Sequence, residues 1–352
     1  MVEVETFAAY INARISGMRS ALFPRERIEN LLTFDDLNRV SDDLLSSPYG
    51  TDLAESLTRL KAGEAIEDAI ERNLVRTFQA LMKLVEGPAK PLTERFLARW
   101  DLASVKSLLR MRHHDLDASE PGMLTPGPSL GVPLMRTFAG KNSMEELVHA
   151  LVAWKPELCA PLEAALPRYR QENNLGVLEE SMDRAYFTRG VAELKSKDDV
   201  DCKIVCGALR MEIDRINLRA LLQFRDAHGS GEGLSNRILP GGWLSMRLLR
   251  EMAGARDAAH AMEFLANTPY RELVEELYAF VRAARFSPMD RHFDLLMIRH
   301  LQHEKHVHVM SIATLMHYAW LKYNEAINLR LVACGTACHL PHGKIREEMM
   351  HA

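Results

Sequence analysis

The sequence predicts an all-α protein, and three observations carry that prediction. Apolar residues recur at helical spacing, strand-like alternation is nearly absent, and Gly and Pro gather in a few short stretches. Phe7, Tyr10, Ile11, Ile15, Met18 and Leu22 advance by three or four residues, which puts one apolar stripe on a first helix. Ile66, Ile70, Leu74, Phe78 and Leu81 do the same further on. The breaks fall at "PGMLTPGPSLGVP" (Pro121 to Pro133), "AHGSGEG" (Ala227 to Gly233) and "LPGG" (Leu239 to Gly242), which are read as loops or linkers.

Bulk properties narrow the class. A chain of 352 residues implies two or three domains. With 47% hydrophobic and 26% charged residues it has the profile of a folded protein with sizeable cores. A net charge of −4 gives no push toward nucleic acid or anionic lipid. The opening "MVEVETFAAYINARISGMRS" starts acidic and lacks the apolar centre of a secretory signal. The stretch Val307 to Leu321 is free of Asp, Glu, Lys and Arg for 15 residues. That is short of the roughly 20 that a spanning helix needs. Membrane association is therefore expected to be peripheral, through a partner. Five cysteines, an odd number in a long chain, fit a reducing compartment better than a disulfide framework.

The linkers fall near one third and two thirds of the length, and three features recur in the same order. A Pro-centred turn appears as "SSPYGTDL" at Ser46, "AWKPELCAPL" at Ala153 and "ANTPYREL" at Ala266. An acid–Arg pair appears in "AIERNL" at Ala69, "SMDRAYF" at Ser181 and "PMDRHF" at Pro288. An acid, two residues, Asn or Ser, an aliphatic and a cation appear in "WDLASVK" from Trp100, "IDRINLR" from Ile213 and "NEAINLR" from Asn324. Corresponding positions lie roughly 110 residues apart, the size of a small domain. The expected organisation is three copies of one helical unit with limits 1–122, 123–235 and 236–352. The first copy diverges most, with Ser104 and Lys106 where the others carry Asn and Arg.

The recurring polar residues are Glu71, Arg72, Asp101 and Lys106 in the first copy and Asp183, Arg184, Asp214, Asn217 and Arg219 in the second. Asp290, Arg291, Glu325, Asn328 and Arg330 belong to the third. On a helix Asp214 and Asn217 share a face, whereas Arg219 lies about 140° round from Asp214. A crossed arrangement between neighbouring helices is expected, Asp183 toward Arg219 and Arg184 toward Asp214, which fixes helix register more than it adds stability. Solvated ion pairs worth under about 1 kcal/mol each are the plainer alternative. Paired carboxylates working as acid and base are a third, but a catalytic dyad belongs in one cleft, and triplication argues architecture.

Other motifs carry little chemistry. "RHLQHEKHVHVM" holds His300, His303, His306 and His308 without the HExxH zinc pattern. Cys202 and Cys206, like Cys334 and Cys338, are four apart, but the two pairs occupy unmatched places in their copies, so buried or half-buried free thiols are expected. "GSGEG" lacks the Lys–Ser/Thr ending of a phosphate loop, and no nucleophile elbow is present. No cofactor, metal or catalytic residue is expected.

At "AAYINARISGMRSALF", "SSPYGTDL", "EIDRINLRALLQFRDAHGSGEGLSNRILPGG" and "YAWLKYNEAINLRLVACGTACHLPHGKIREEM" the chain resembles the C subunit of prokaryotic V/A-type rotary ATPases, which is related to the d subunit of eukaryotic vacuolar ATPases. The resemblance spans nearly the whole length. It departs in "WDLASVK" and in the His-rich stretch before Val309. It implies three similar helical domains about a pseudo-threefold axis, in a funnel. It also implies a non-catalytic central-stalk subunit on the cytoplasmic face of the membrane, joining the central shaft subunits to the proteolipid rotor ring and passing torque for proton or sodium transport. Membrane contact would run through the ring alone. A helical binding scaffold unrelated to rotary ATPases is the competing reading, although simple solenoids repeat at roughly 34 to 47 residues. A metal-dependent enzyme built on the His300–His308 stretch or the Cys pairs is another.

Overall fold

The computed structural model describes residues 2–116, 126–228, 237–274 and 287–350. Every regular element among them is helical. The chain starts with α1 (Val2–Arg19), α2 (Arg25–Leu31), α3 (Leu37–Leu45), α4 (Gly50–Leu57), α5 (Ala62–Leu84) and α6 (Ala89–His113). There follow α7 (Val132–Ala139), α8 (Met144–Trp154), α9 (Pro156–Glu172), α10 (Leu175–Asp183), a π turn over Arg184–Thr188, and α11 (Arg189–Lys195). Then come α12 (Val200–His228), α13 (Met246–Ala253) and α14 (Ala258–Glu263), α15 (Ser287–Val307), α16 (Ala313–Ala337) and α17 (His342–Glu348).

Local chemistry sets the helix ends. Asp36, Ser143, Ser245 and Asp257 each accept a bond from a free amide in the first turn of the helix that follows. Pro156 opens α9, where its missing N–H costs nothing, and Asn173 closes it in the left-handed region at φ 46°. Of the stripe expected on the first helix, Ile15 is buried and Tyr10 exposed, and the side chain of Phe7 lies outside the described residues. Ile66, Ile70, Leu74, Phe78 and Leu81 are all buried along one face of α5.

The chain forms two compact units, one of Met1–Leu175 with Leu301–Ala352, the other of Gly176–His300. In the first, α5 packs against α4 and α16. Its centre is aromatic: the Trp100 ring lies 4.5 Å from Phe78, 5.7 Å from Phe96 and 5.5 Å from Trp320, with the Arg99 guanidinium 4.4 Å from the Trp320 ring. In the second unit α12 carries the core, and Leu218, Leu221 and Leu222 pack with Leu249, Met252, Leu265 and Phe293. The expected limits at 122/123 and 235/236 both lie outside the described residues, as does most of "AHGSGEG".

Candidate functional site

The middle of α12 is where a polar motif enters the core. Asp214 and Asn217, three residues apart, share a face and are wholly buried. Asp214 accepts the Trp243 amide at 2.7 Å, the Leu244 amide at 3.2 Å and the Tyr270 hydroxyl at 2.8 Å. Asn217 closes a two-way bond with one residue, donating to the Leu239 carbonyl at 2.8 Å and accepting the Leu239 amide at 2.7 Å. One helix face thereby holds the turns and bends of residues 237–245 and the Pro–Tyr turn. Burial pushes the Asp214 carboxyl up to about 6, against the hydrogen bonds that favour its charge. Burial and the Asp214 charge push the Tyr270 phenol up.

The same arrangement recurs in the other unit. Asn328 on α16 donates to the Met350 carbonyl at 2.7 Å and accepts the Met350 amide at 2.9 Å, at the same separation of 22 residues as Asn217 and Leu239. Glu325 accepts the Tyr49 hydroxyl at 2.6 Å, the Lys322 ammonium at 2.7 Å and the Phe23 amide. Asp101 on α6 accepts the Ser129 amide at 2.8 Å, the Leu130 amide at 3.2 Å and the Lys155 ammonium at 3.0 Å. Ser104 is too short to act as the Asn does, and its hydroxyl turns back to the Trp100 carbonyl at 2.9 Å. In each case the acid of the motif takes one or two backbone amides together with a donor from a Pro-centred turn. The turn's donor is Tyr49, Lys155 or Tyr270.

The motif cations pair with acids of other helices, Arg219 from an exposed position and Arg215 and Arg330 from half-buried ones. Arg219 meets Asp290 at 3.0 Å, Arg215 meets Asp290 and Asp294 at 3.0 Å each, and Arg330 meets Glu71 at 3.0 Å. This corrects the Arg184–Asp214 half of the crossed arrangement. Asp214 is satisfied by Trp243, Leu244 and Tyr270, with no bond from Arg184, and the acid opposite Arg219 at 3.0 Å is Asp290. A carboxylate sunk in the core is reached by backbone amides and a phenol, whereas Arg184 is exposed and Asp183 buried. Arg72 turns to Glu55 and to Asp68, while Lys106 and Arg291 are half-buried. Sequence reasoning missed Tyr49, Lys155, Arg215 and Tyr270. The repeated Pro-Tyr at Tyr49 and Tyr270 is the signal that marks two of them.

Glu71 is a paired acid with a large shift. Its side chain is 14% exposed, and burial pushes its carboxyl up from 4.5 to about 7, reinforced by Glu67 and Asp68 and opposed by Arg330. Between those values the folded chain holds a proton that the unfolded chain has released, so this group's contribution falls as pH rises through the window. Glu71→Gln stays neutral throughout. It is expected to match the parent near pH 4.5 and to exceed it by roughly 2–3 kcal/mol at pH 8, read from urea unfolding. A variant weaker than the parent at pH 8 would mean that the Arg330 ion pair outweighs burial. Comparing variant with parent removes the opposite contribution of His317, whose imidazole burial depresses to about 4.

The remaining sequence features show no assembled chemistry. Among the described residues no group of three or more His, Cys, Asp or Glu is placed to hold a metal ion. His300, His303 and His306 lie along α15 and His308 just beyond it; His306 Nδ1 is 2.6 Å from the Gln302 carbonyl oxygen, and His308 is 3.8 Å from Glu304. Cys159, Cys202 and Cys206 are buried free thiols, and Cys334 and Cys338 are exposed ones.

The family model described as "ATP synthase (C/AC39) subunit" matches residues 11–348. The C subunit of the A-type ATP synthase from Methanococcoides burtonii is 26% identical over 97% of this chain and 94% of its own length. Its counterpart from Methanosarcina acetivorans is 24% identical over 97% and 92%. The one from Pyrococcus furiosus is 22% identical over 96% and 89%.

Proposed function

The chain belongs to the ATP synthase (C/AC39) subunit family, and from that premise we propose that it is the socket joining a central rotor shaft to a membrane rotor ring. As a member of that family it is a non-catalytic subunit of a V/A-type ATP synthase. As a socket it transmits torque between shaft and ring for proton or sodium transport. It is built from three similar helical domains about a pseudo-threefold axis. It lies peripherally on the cytoplasmic face of the membrane and touches the bilayer through the ring.

The observation that carries this reading is the recurrence of one buried carboxylate latch. Asp101, Asp214 and Glu325 each tie a long helix to backbone and to a turn far away in sequence. A part that passes torque must resist shear between its helices, and fully satisfied interior hydrogen bonds supply that resistance without a cofactor. No helix of the described residues is long and apolar enough to cross a membrane. The experiment is purification of the intact complex from native membranes with a tag on this chain. Shaft and ring subunits eluting in stoichiometric amounts would support the socket. Elution of the chain with the catalytic head but without the ring would overturn it.

A further inference from the structure

The unit of 1–175 with 301–352 contains a cavity of about 190 Å³ whose polar wall is Asn73, Arg76, Thr77, Tyr318 and Lys322. That wall carries two cations and no acid. The balancing acids stand outside the lining. Asp52 holds Arg76 at 2.8 Å, and Glu325 holds Lys322 at 2.7 Å. An ammonium has three protons, and two of those on Lys322 go to the Tyr49 hydroxyl at 2.8 Å and to Glu325. Tyr318 is 4% exposed, and its hydroxyl makes no hydrogen bond among the described residues.

We propose that this cavity binds a small oxyanion, phosphate or carboxylate, between Arg76 and Lys322, with the Tyr318 hydroxyl as a third donor. The volume suits such an ion with a few waters, each of which takes about 30 Å³. Charge-assisted bonds from a guanidinium and an ammonium are the strong ones for this chemistry. Burial depresses the Lys322 ammonium, Glu325 and Asp52 oppose that shift, and the nearby Arg76 adds to it. Arg76, whose side chain is 54% exposed, marks the entrance, and Met18 and Leu22 form an apolar wall. The site goes beyond the socket role and is tested on the isolated chain.

The test titrates inorganic phosphate into the purified chain at constant ionic strength, read by calorimetry and by thermal unfolding. Saturable binding at one site with a rising Tm is expected. Tyr318→Phe, which deletes one oxygen, should weaken it roughly tenfold or more, and Arg76→Gln at least as much. Arg168→Gln, remote and exposed, should bind like the parent. Displacement of phosphate by acetate would support a site for oxyanions in general, and binding of phosphate alone would support its phosphate form. Absence of saturable binding, or undiminished binding by Tyr318→Phe, would overturn the proposal. Should Arg76→Gln fail to fold, the Tyr318→Phe result decides.

Discussion

Gly242→Ala is expected to destabilise the Gly176–His300 unit by roughly 3–5 kcal/mol. A Cβ at Gly242 would stand 1.9 Å from Asp214 Oδ1 and 2.7 Å from its Cγ. The carboxylate can retreat only by releasing the Trp243 and Leu244 amides and the Tyr270 hydroxyl, which strands buried donors. Gly127 stands in the same relation to the other Asp: a Cβ there would meet Asp101 Oδ1 at 2.4 Å and its backbone nitrogen at 2.9 Å. Because backbone cannot rotate away, Gly127→Ala should cost at least as much. Gly254 is the control, since a Cβ there meets nothing nearer than 3.6 Å. Gly254→Ala should stay within about 1 kcal/mol of the parent. Urea unfolding followed by circular dichroism gives all three values. Gly242→Ala behaving like Gly254→Ala would show that the amide cradle around Asp214 contributes little.

The all-α class and the polar motif were legible because both are local. Helical spacing in residues 66–81 is written in adjacent turns, and an acid three residues before Asn defines a helix face by itself. What the motif grips was hidden, because the grip is not local. Asn217 reaches 22 residues ahead and Asp214 reaches 56, to a turn assigned by sequence to the next copy. Glu325 reaches back to Phe23 and Tyr49 near the start of the chain. A periodic sequence displays what each copy contains and is silent on which copy answers which. The expectation that each copy is internally paired therefore placed Arg184 on Asp214. The structure instead sets Asp290, assigned by sequence to the third copy, against Arg219 of the second, and Glu71 of the first against Arg330 of the third.

The offset also separates the architectural reading from acid–base catalysis. A working acid or base needs a free face toward a substrate. Asp101 and Asp214 are both 0% exposed, and each is filled by backbone amides on one side and by a turn's donor on the other. Each carboxylate spends three of its roughly four acceptor positions on these donors and has no face open to solvent, and the bonds it makes join segments.

Glu325→Gln should cost roughly 3–5 kcal/mol in the unit of 1–175 with 301–352. The residue is 4% exposed and stands at the centre of a closed set: the Phe23 amide, the Tyr49 hydroxyl and the Lys322 ammonium all point at it, and Lys322 also donates to Tyr49. Glutamine keeps the shape but removes the charge, so a buried ammonium loses its counter-ion while an amide group is forced to face donors. Burial already depresses the Lys322 ammonium, and Glu325 is the largest influence opposing that shift. The cost should therefore come mainly from the abandoned cation. Lys322→Met together with Glu325→Gln removes that cation and should recover about half or more of the loss, a coupling of roughly 2–3 kcal/mol in a double-mutant cycle. Exposed pairs such as Arg168 with Glu172 set the scale for comparison, at under about 1 kcal/mol. A single variant costing no more than that, or a double variant merely adding the two single losses, would mean that the Phe23 and Tyr49 segments are held to α16 by apolar packing alone and that the third latch is not one.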